Sequence, residues 1–251
     1  MNRLPSISAF FPAYNEEANV GAMVERLGAV LPQVADDYEI IVVNDGSQDR
    51  TAEVADKLAA ADPCVRVIHH PQNRKLGGCL KTGFAEARGE LVLYTDADLP
   101  FDMDEARKAV RLLRLYDAHI VSAFRFDRTG EGFRRAVYSY LYNHLVRMLL
   151  GLRLRDVNFA CKLVHRDVLD HLELKSEGSF IDVELLARAQ RLGFQIVQFG
   201  VDYFPRTRGI STLSSNAVIL HIVKEMLMLN RELGAIQPLP DDVLHPGTGD
   251  R

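Results

Sequence analysis

The sequence is poor in cysteine, and its three cysteines suit neither a disulfide framework nor a zinc site. Cys64, Cys79 and Cys161 are odd in number, far apart and without Cys-x-x-Cys spacing. We therefore expect buried free thiols and a reducing, cytoplasmic compartment.

Long apolar runs and an excess of positive charge are also missing. No uninterrupted apolar stretch reaches the ~18 residues that span a bilayer, and the opening residues 1–6 do not resemble a signal peptide. The net charge of −4 gives no electrostatic case for nucleic-acid binding. We expect a soluble protein, or one that touches the cytoplasmic face of a membrane from the side.

The chain does have enough apolar residues for a substantial core, 47% of 251. Its first half alternates between strand and helix patterns, which predicts an α/β fold with a mostly parallel central sheet flanked by helices. The predicted strands are 6–11, 38–43, 65–69, 91–95 and 119–123, and the predicted helices are 17–31, 48–61, 82–88 and 104–116.

The second half is less regular and more helical. The patterns predict helices over 133–151, 181–191 and 214–233, with strands over 157–164 and 194–203. We see no linker, so residues 1–234 are expected to form one domain. Residues 235–251 are rich in Pro, Gly and Asp and are expected to be a disordered tail.

Two aspartates stand directly after the apolar strand 91–95. Asp96 and Asp98 are two residues apart, so on an extended backbone they face the same side. Paired carboxylates suit a Mg²⁺ or Mn²⁺ ion that keeps positions open for substrate phosphates. Asp-x-Asp also occurs by chance, so the interpretation depends on its surroundings.

Two further polar segments follow predicted strands, Pro12–Glu17 and Asn44–Asp49. Tyr14 can stack on a base, and Glu16 and Asp45 can accept hydrogen bonds from a base or ribose. Helix capping alone would explain Ser47 and Asp49, but it explains Asp45 poorly. Since ligands bind beyond the carboxyl ends of strands in such sheets, the segments predict one site.

Two familiar phosphate-binding signatures are absent. Gly78 and Gly83 have P-loop spacing, but Phe84-Ala85 follow where Lys-Ser/Thr is required. No dinucleotide fingerprint follows the first strand. We expect the glycines around residue 77 to let the loop and helix start pack close to a nucleotide.

The helices 133–151 and 214–233 are apolar over most of their surface. Both can be core helices, and 214–233 can equally form a homodimer face. Alternatively they lie on a membrane, where Arg134, Arg135 and Arg147 would suit anionic headgroups.

Five motifs occur in an order that resembles family 2 glycosyltransferases, and among them the dolichyl- and polyprenyl-phosphate mannose and glucose synthases. They are Pro-Ala-Tyr-Asn-Glu-Glu (12–17), Asn-Asp-Gly-Ser-x-Asp (44–49), Gly-Phe-x-x-Ala-x-Gly (83–89), Asp-Ala-Asp-Leu (96–99) and Arg-x-x-Gly-x-Ser (206–211). The similarity covers residues 6–233.

The resemblance implies a GT-A (Rossmann-like) fold with a helical acceptor side. It also implies an inverting transfer of mannose or glucose from GDP-mannose or UDP-glucose to a polyprenyl or dolichyl phosphate, with Mg²⁺ or Mn²⁺. The implied donor-binding residues are Pro12, Tyr14, Glu16, Asp45 and Asp96, with Asp96 and Asp98 on the metal. The implied acceptor-phosphate residues are Arg125, Arg135 and Ser139, and the implied catalytic residues are Asp98, Arg206 and Asp182.

Three positions depart from the pattern of that family. Asn44 stands where many members have Asp, Pro100 follows where mannose synthases often have Gln, and residues 158–162 replace a Ser-Gly-Phe-Arg segment. Two aspartates would then bind the metal without a third side chain.

Alternative functions remain at this point. A transferase acting on a sugar, small-molecule or protein hydroxyl would need a base, and Asp182 or Glu184 could serve. A nucleotidylyltransferase would need an N-terminal Gly-rich loop with Arg and Lys, which 11–16 lacks. The third alternative is a non-catalytic module that binds a nucleotide sugar or a lipid.

Overall fold

The structure is a computed structural model that describes residues 4–126, 133–204 and 216–244, with the backbone alone for 4–5, 133–141 and 216–223. A seven-stranded sheet has the order β3-β2-β1-β4-β6-β5-β7. Its strands are β1 (Leu4–Ala13), β2 (Ala35–Asn44), β3 (Val65–His69), β4 (Leu91–Thr95), β5 (Ile120–Arg125), β6 (Cys161–His165) and β7 (Ile196–Val201). The helices are α1 (Val20–Val34), α2 (Thr51–Ala61), α3 (Lys75–Glu86), α4 (Glu105–Leu115), α5 (Phe133–Leu150), α6 (Arg166–Asp170), α7 (Ile181–Leu192), α8 (Asn216–Ala235) and α9 (Asp241–Leu244).

The mostly parallel sheet predicted from the strand-helix alternation is confirmed. β1 pairs in parallel with β2 and with β4, and β2 pairs in parallel with β3. Strands β3 and β4 have the predicted bounds. The strand patterns are therefore most informative in the first half, where apolar runs are bounded by polar turns.

β6 is the exception, since it runs antiparallel between β4 and β5. It is shorter than the predicted strand 157–164 and starts at Cys161. Its register places Lys162 opposite Tyr94 of β4 and Ser122 of β5. A charged residue thus occupies the middle of three adjacent strands.

Apolar layers cover both faces of the sheet. One layer contains α1 and α4 side chains such as Leu27 and Val110. The other contains α3 and α7, and every α7 residue from Ile181 to Ala189 is buried. That burial places the acidic residues of α7 inside the protein.

Helix α3 begins seven residues earlier than predicted, at Lys75 rather than Thr82. Its glycines lie inside the helix, and a Cβ on Gly77 would come 2.4 Å from the Ser176 carbonyl oxygen. The Gly77 amide also donates to the Glu177 carbonyl at 3.1 Å. The close approach is therefore to the loop before α7, whereas the sequence suggested packing toward a nucleotide.

The segment after α8 differs from the expected disordered tail over 235–244. The Leu239 amide donates to the Leu192 carbonyl at 2.8 Å, and His119 Nε2 donates to the Leu244 carbonyl at 2.8 Å. Leu244 is buried. Apolar side chains between the prolines hold this stretch, a signal that overall composition conceals. Residues 245–251 lie outside the described ones.

The two apolar helices are core helices in part. Val146 and Leu150 of α5 and Met226 and Leu233 of α8 are buried, while Met148, Leu227 and Met228 are exposed. In the portion of the chain that the structure describes, no helix combines the length and hydropathy needed to cross a bilayer. All three cysteines are free thiols, with Cys79 and Cys161 buried and Cys64 half-buried.

Candidate functional site

The predicted site segments meet at one edge of the sheet. β1 lies between β2 and β4 and is parallel to both, so their carboxyl ends are neighbours. Near the end of β1, Pro12 pairs with Val43 of β2. Tyr14 follows two residues later, and 44% of its surface is exposed. The turns after these three strands therefore form a continuous polar rim, as the sequence predicted.

Asp96 and Asp98 lie in the turn immediately after β4, not on the strand itself. Both are half-buried, while Ala97 between them is buried, so the alternation expected of a strand persists in the turn. Leu99 follows with φ of 52°, which ends the extended backbone.

The Tyr94 hydroxyl lies in the electrostatic field of three acidic residues. Burial raises the pKa of Tyr94 well above its usual value of 10.0, and the negative charges of Asp182, Asp96 and Asp98 add to this effect. The hydroxyl oxygen is buried without a hydrogen-bond partner among the described residues. The negative charges of Asp182, Asp96 and Asp98 thus all act on the Tyr94 hydroxyl, and carboxylate oxygens such as those of Asp96 and Asp98 suit a divalent cation.

The first two turns are joined by hydrogen bonds. The Asn15 amide donates to Ser47 Oγ at 3.0 Å, and the Gln48 amide donates to Asn15 Oδ1 at 2.8 Å. The Glu16 amide donates to Thr51 Oγ1 at 2.8 Å. Asn15 has φ of 56°, a left-handed conformation that asparagine tolerates. These bonds fix the loop that carries Tyr14 and Glu16.

Asp45 is buried at the centre of a hydrogen-bonded cluster. Its Oδ1 accepts from His70 Nδ1 at 2.7 Å and from the Arg74 amide at 2.8 Å. Burial, together with the charge of Asp45 and a hydrogen bond to it, raises the pKa of the Cys79 thiol. The thiol is therefore protonated and donates to the carboxylate. Capping of α2 plays no part in this arrangement.

Gly46 allows the turn that presents Asp45. Its φ is +69°, and an added Cβ would come 2.9 Å from the Gln72 carbonyl carbon. A side chain here would therefore be strained and would also push away the loop that leads to Arg74.

Asn44, where many family 2 members have Asp, has a structural role. Its Nδ2 lies 2.9 Å from His69 Nδ1, and its Oδ1 accepts from the Ser47 amide at 3.2 Å. The amide supplies both a donor and an acceptor, which a carboxylate could not do.

Asp182, a predicted catalytic residue, is 1% exposed and forms an ion pair with Lys162, which is completely buried. Lys162 Nζ lies 2.5 Å from Asp182 Oδ1 and also donates to the Phe159 carbonyl at 2.9 Å. The ammonium group lies 5.5 Å from the centre of the Tyr94 ring. Burial raises the pKa of Asp182, and the charge of Lys162 opposes that shift.

Glu184, the other acidic candidate of α7, is fully buried and anchors the preceding loop. Its Oε2 accepts from the Ser176 amide at 2.7 Å, and the Lys175 amide is 3.0 Å from either carboxylate oxygen. Arg188 Nε donates to its Oε1 at 2.8 Å. The carboxylate is thus surrounded by structural donors.

Arg125 is held by Asp156. The guanidinium makes two bonds to the carboxylate, Nε to Oδ2 at 2.7 Å and Nη2 to Oδ1 at 2.9 Å. It also lies over the rings of Phe159 and Tyr203, 5.6 and 5.1 Å from their centres. Its predicted contact with an acceptor phosphate stays a prediction.

Three predicted residues cannot be placed in the site. Arg206 lies outside the described residues, and the side chains of Arg135 and Ser139 are not described.

Sequence reasoning missed His70, Asp156 and Lys162. His70 follows β3 as Asp45 follows β2, so the predicted parallel pairing could have identified it. Lys162 interrupts an apolar run, which is typical of a buried charge that requires a partner. Asp156 offered no comparable signal.

The comparisons with known proteins show the family to which the chain belongs. The family model "Glycosyl transferase family 2" matches residues 8–173. The chain belongs to glycosyl transferase family 2. The match begins inside β1 and ends before α7, so it covers β2 through β6 and the turns after β1, β2 and β4.

Two curated relatives show what the chain is similar to. Glycosyltransferase AglD of Haloferax volcanii is 39% identical over 80% of this chain, and polyprenol monophosphomannose synthase of Mycolicibacterium smegmatis is 32% identical over 82% of it. The alignments span 33% of the first relative and 80% of the second.

A solved structure supports the fold. Glucosyl-3-phosphoglycerate synthase from Mycobacterium tuberculosis, in complex with Mn²⁺, UDP-glucose and phosphoglyceric acid, has a TM-score of 0.67 and is 23% identical. The similarity covers 90% of this chain and 80% of the synthase chain. The protein described here therefore has the GT-A-like architecture that its sequence predicted.

Proposed function

We propose that the protein is an inverting hexosyltransferase that moves mannose or glucose from a nucleotide diphosphate sugar to a polyprenyl or dolichyl phosphate. Family membership supports the transferase class, and the 32% identical polyprenol monophosphomannose synthase supports the acceptor.

The polar rim would bind the donor. Tyr14 would flank the base, and Pro12, Glu16 and Asp45 would hold the nucleoside. Asp96 and Asp98 would hold Mg²⁺ or Mn²⁺, since both lie half-buried in the turn directly after β4. The bound cation would supply charge stabilisation for the leaving diphosphate. Asp96 and Asp98 would thus orient the diphosphate for in-line displacement.

The observation that carries the choice of acceptor is the buried ion pair between Lys162 and Asp182. A hydroxyl acceptor needs a base to take its proton, and Asp182 and Glu184 were the two candidates. Asp182 is bound by an ammonium group, and Glu184 by backbone amides and Arg188. A phosphate acceptor is already anionic near neutral pH and needs no base.

The acceptor phosphate oxygen would attack the anomeric carbon from the face opposite the nucleoside diphosphate, which inverts the configuration. Arg206, Arg135 and Ser139 would bind the phosphates of acceptor and donor, since arginine suits bidentate phosphate binding. Arg125, whose charge is matched by Asp156, would shape the acceptor side.

A lipid acceptor requires contact with a membrane surface. Met148 of α5 and Leu227 and Met228 of α8 are exposed, and the two helices contact each other. We propose that the exposed parts of α5 and α8 rest on the cytoplasmic face of the membrane, and no helix in the described part is long and apolar enough to cross it.

The test is sugar transfer with purified protein, labelled GDP-mannose or UDP-glucose, Mg²⁺ or Mn²⁺, and a short polyprenyl phosphate in detergent. We expect label in the organic phase with one donor, and EDTA should abolish it. Asp98→Asn should lower turnover at least about 100-fold, because the leaving group loses its metal-assisted stabilisation.

The matched control is Asp102→Asn, since Asp102 is an exposed carboxylate four residues further along and should not affect turnover. Asp182→Asn and Glu184→Gln should keep most activity per folded molecule. If the protein transfers the sugar to a hydroxyl acceptor and Asp182→Asn abolishes this activity, Asp182 acts as a base. If Asp98→Asn stays active and EDTA does not inhibit it, the mechanism does not use a metal.

A further inference from the structure

His70 and Thr82 form a hydrogen-bonded chain that ends on Asp45. His70 Nδ1 lies 2.7 Å from Asp45 Oδ1, and His70 Nε2 lies 2.9 Å from Thr82 Oγ1. Asp45 and His70 are the first residues after neighbouring parallel strands, and each backbone amide is bound to the strand beside it. The two side chains therefore start from fixed positions.

The chemistry of the partners fixes the direction of this chain. An ionised carboxylate accepts only, so His70 Nδ1 carries the hydrogen between them. In the neutral imidazole Nε2 then accepts, and the Thr82 hydroxyl donates to it. Thr82 Oγ1 can in turn accept from Arg74 Nη1, which lies 3.5 Å away. Each group thus donates toward Asp45.

The same carboxylate is held from helix α3. The Arg74 amide, at the start of α3, donates to Oδ1 at 2.8 Å, and the Cys79 thiol of the first turns also donates to Asp45. The positive end of the helix favours a carboxylate at this position. Asp45 cannot rotate without breaking these bonds, so its carboxylate is held in one orientation.

We propose that His70 is a positioning residue for donor binding, which acts by fixing Asp45 toward an N–H group of the donor's base. The proposal rests on the proposed function, in which Asp45 contacts the nucleoside. It assigns His70, Thr82 and Cys79 to base recognition and leaves the diphosphate to Asp96 and Asp98.

Two histidine replacements separate this role from simple packing. In His70→Asn the side-chain amide nitrogen occupies the position of Nδ1 and can donate to Asp45. In His70→Gln the amide nitrogen lies further out, at the position of Nε2, and the bond to Asp45 is lost. His70→Gln should raise the Kd for UDP or GDP about 10-fold, and His70→Asn should restore most of the affinity. Thr82→Val should weaken binding about 3-fold.

The decisive readout is the difference between a nucleotide and inorganic diphosphate, both measured by calorimetry with Mn²⁺. Binding of diphosphate should be unchanged in every variant, and kcat should stay constant while the donor KM rises. His171→Gln is the control, since His171 is exposed, bonds the Asp167 carbonyl of its own helix segment, and contacts the ring of Phe194 rather than Asp45.

Equal nucleotide affinity in His70→Gln and the wild type would overturn the proposal, as would a matching loss of diphosphate binding. The atoms of Asp45, His70 and Cys79 also lie within 4.8 Å of one another, close enough to hold a metal ion. A Cys79-dependent charge-transfer band on adding Co²⁺ would show a metal site and overturn it too. A wild type that binds diphosphate but no nucleotide would refute the nucleoside site itself.

Discussion

The half of the molecule that we propose binds the donor, β1 to β4 with α1 to α3 (the donor half), is held together differently from the half that we propose binds the acceptor, β5 to β7 with α5, α7 and α8 (the acceptor half). In the donor half, neighbouring turns bond each other through amides and short side chains, as Asn15 does with Ser47 and Gln48. In the acceptor half, buried charges are paired across elements distant in sequence, as in Lys162–Asp182 and Arg125–Asp156.

The difference teaches where each half is vulnerable. Loss of one hydrogen bond in a half-exposed turn is compensated by water, so the turns at Asn15 and Ser47 should tolerate it. Loss of one charge from a buried pair leaves the other uncompensated, so the acceptor half should not.

The largest effect should come from Lys162→Met, which leaves the buried Asp182 without its ammonium partner. We expect the free energy of unfolding to fall by about 3–5 kcal/mol, measured by urea denaturation. The double variant Lys162→Met/Asp182→Leu should recover most of the loss, because it removes both charges.

The control is Lys57→Met, since Lys57 pairs with Glu53 on the exposed surface of α2. It should leave the unfolding midpoint where it is. If Lys162→Met is as stable as the wild type, the buried ion pair is no more sensitive to substitution than the turns of the donor half.

The next effect concerns the donor half. Gly46→Ala forces a Cβ into a left-handed turn and against the Gln72 backbone, and we expect a cost of about 2 kcal/mol. It should also raise the donor KM without changing the acceptor KM. Thermal unfolding and initial-rate kinetics measure both.

Gly28→Ala is the matched change, because Gly28 lies inside α1 with open space at its Cβ. It should stabilise the protein by about 0.5–1 kcal/mol. Similar destabilisation by both alanines would mean that the left-handed backbone and close packing at Gly46 do not require glycine.

The smallest effect is a difference in acid response. Burial opposes ionisation of Glu39, but hydrogen bonds from Ser8, the Arg88 amide and Arg66 outweigh it and lower its pKa below the usual 4.5. This stabilisation is present above the unfolded-state pKa and is lost as the pH falls through the lower folded-state value. The pKa of Asp182 is raised, so its effect on stability runs in the opposite direction. As the pH falls through the raised pKa, the folded state takes up a proton and gains stability relative to the unfolded chain.

Glu39→Gln should therefore flatten the fall in stability on the acid side of pH 4.5, with a small loss at neutral pH. Chemical denaturation between pH 3 and pH 7 measures this trend. An unchanged pH profile would mean that Glu39 is no more strongly bound in the folded state than in the unfolded chain.

The same comparison explains what the sequence could predict. Strand periodicity and turn residues are local, so the parallel sheet and the rim carrying Tyr14, Asp45, Asp96 and Asp98 were predictable. The pairing of Lys162 with Asp182 depends on an antiparallel strand inserted between β4 and β5, which no local pattern encodes. The roles of acidic residues in α7 therefore had to come from the structure.

The packed segment after α8 has a practical consequence for anyone who shortens this protein. Leu244 occupies the space beside Gly193, where an added Cβ would come 2.9 Å from its Cδ1. A chain truncated at Gly234, the boundary that composition suggests, would uncover the end of α7 and remove the carbonyl that His119 binds. A trimmed protein should therefore keep its residues through Leu244, and an affinity tag belongs beyond that point.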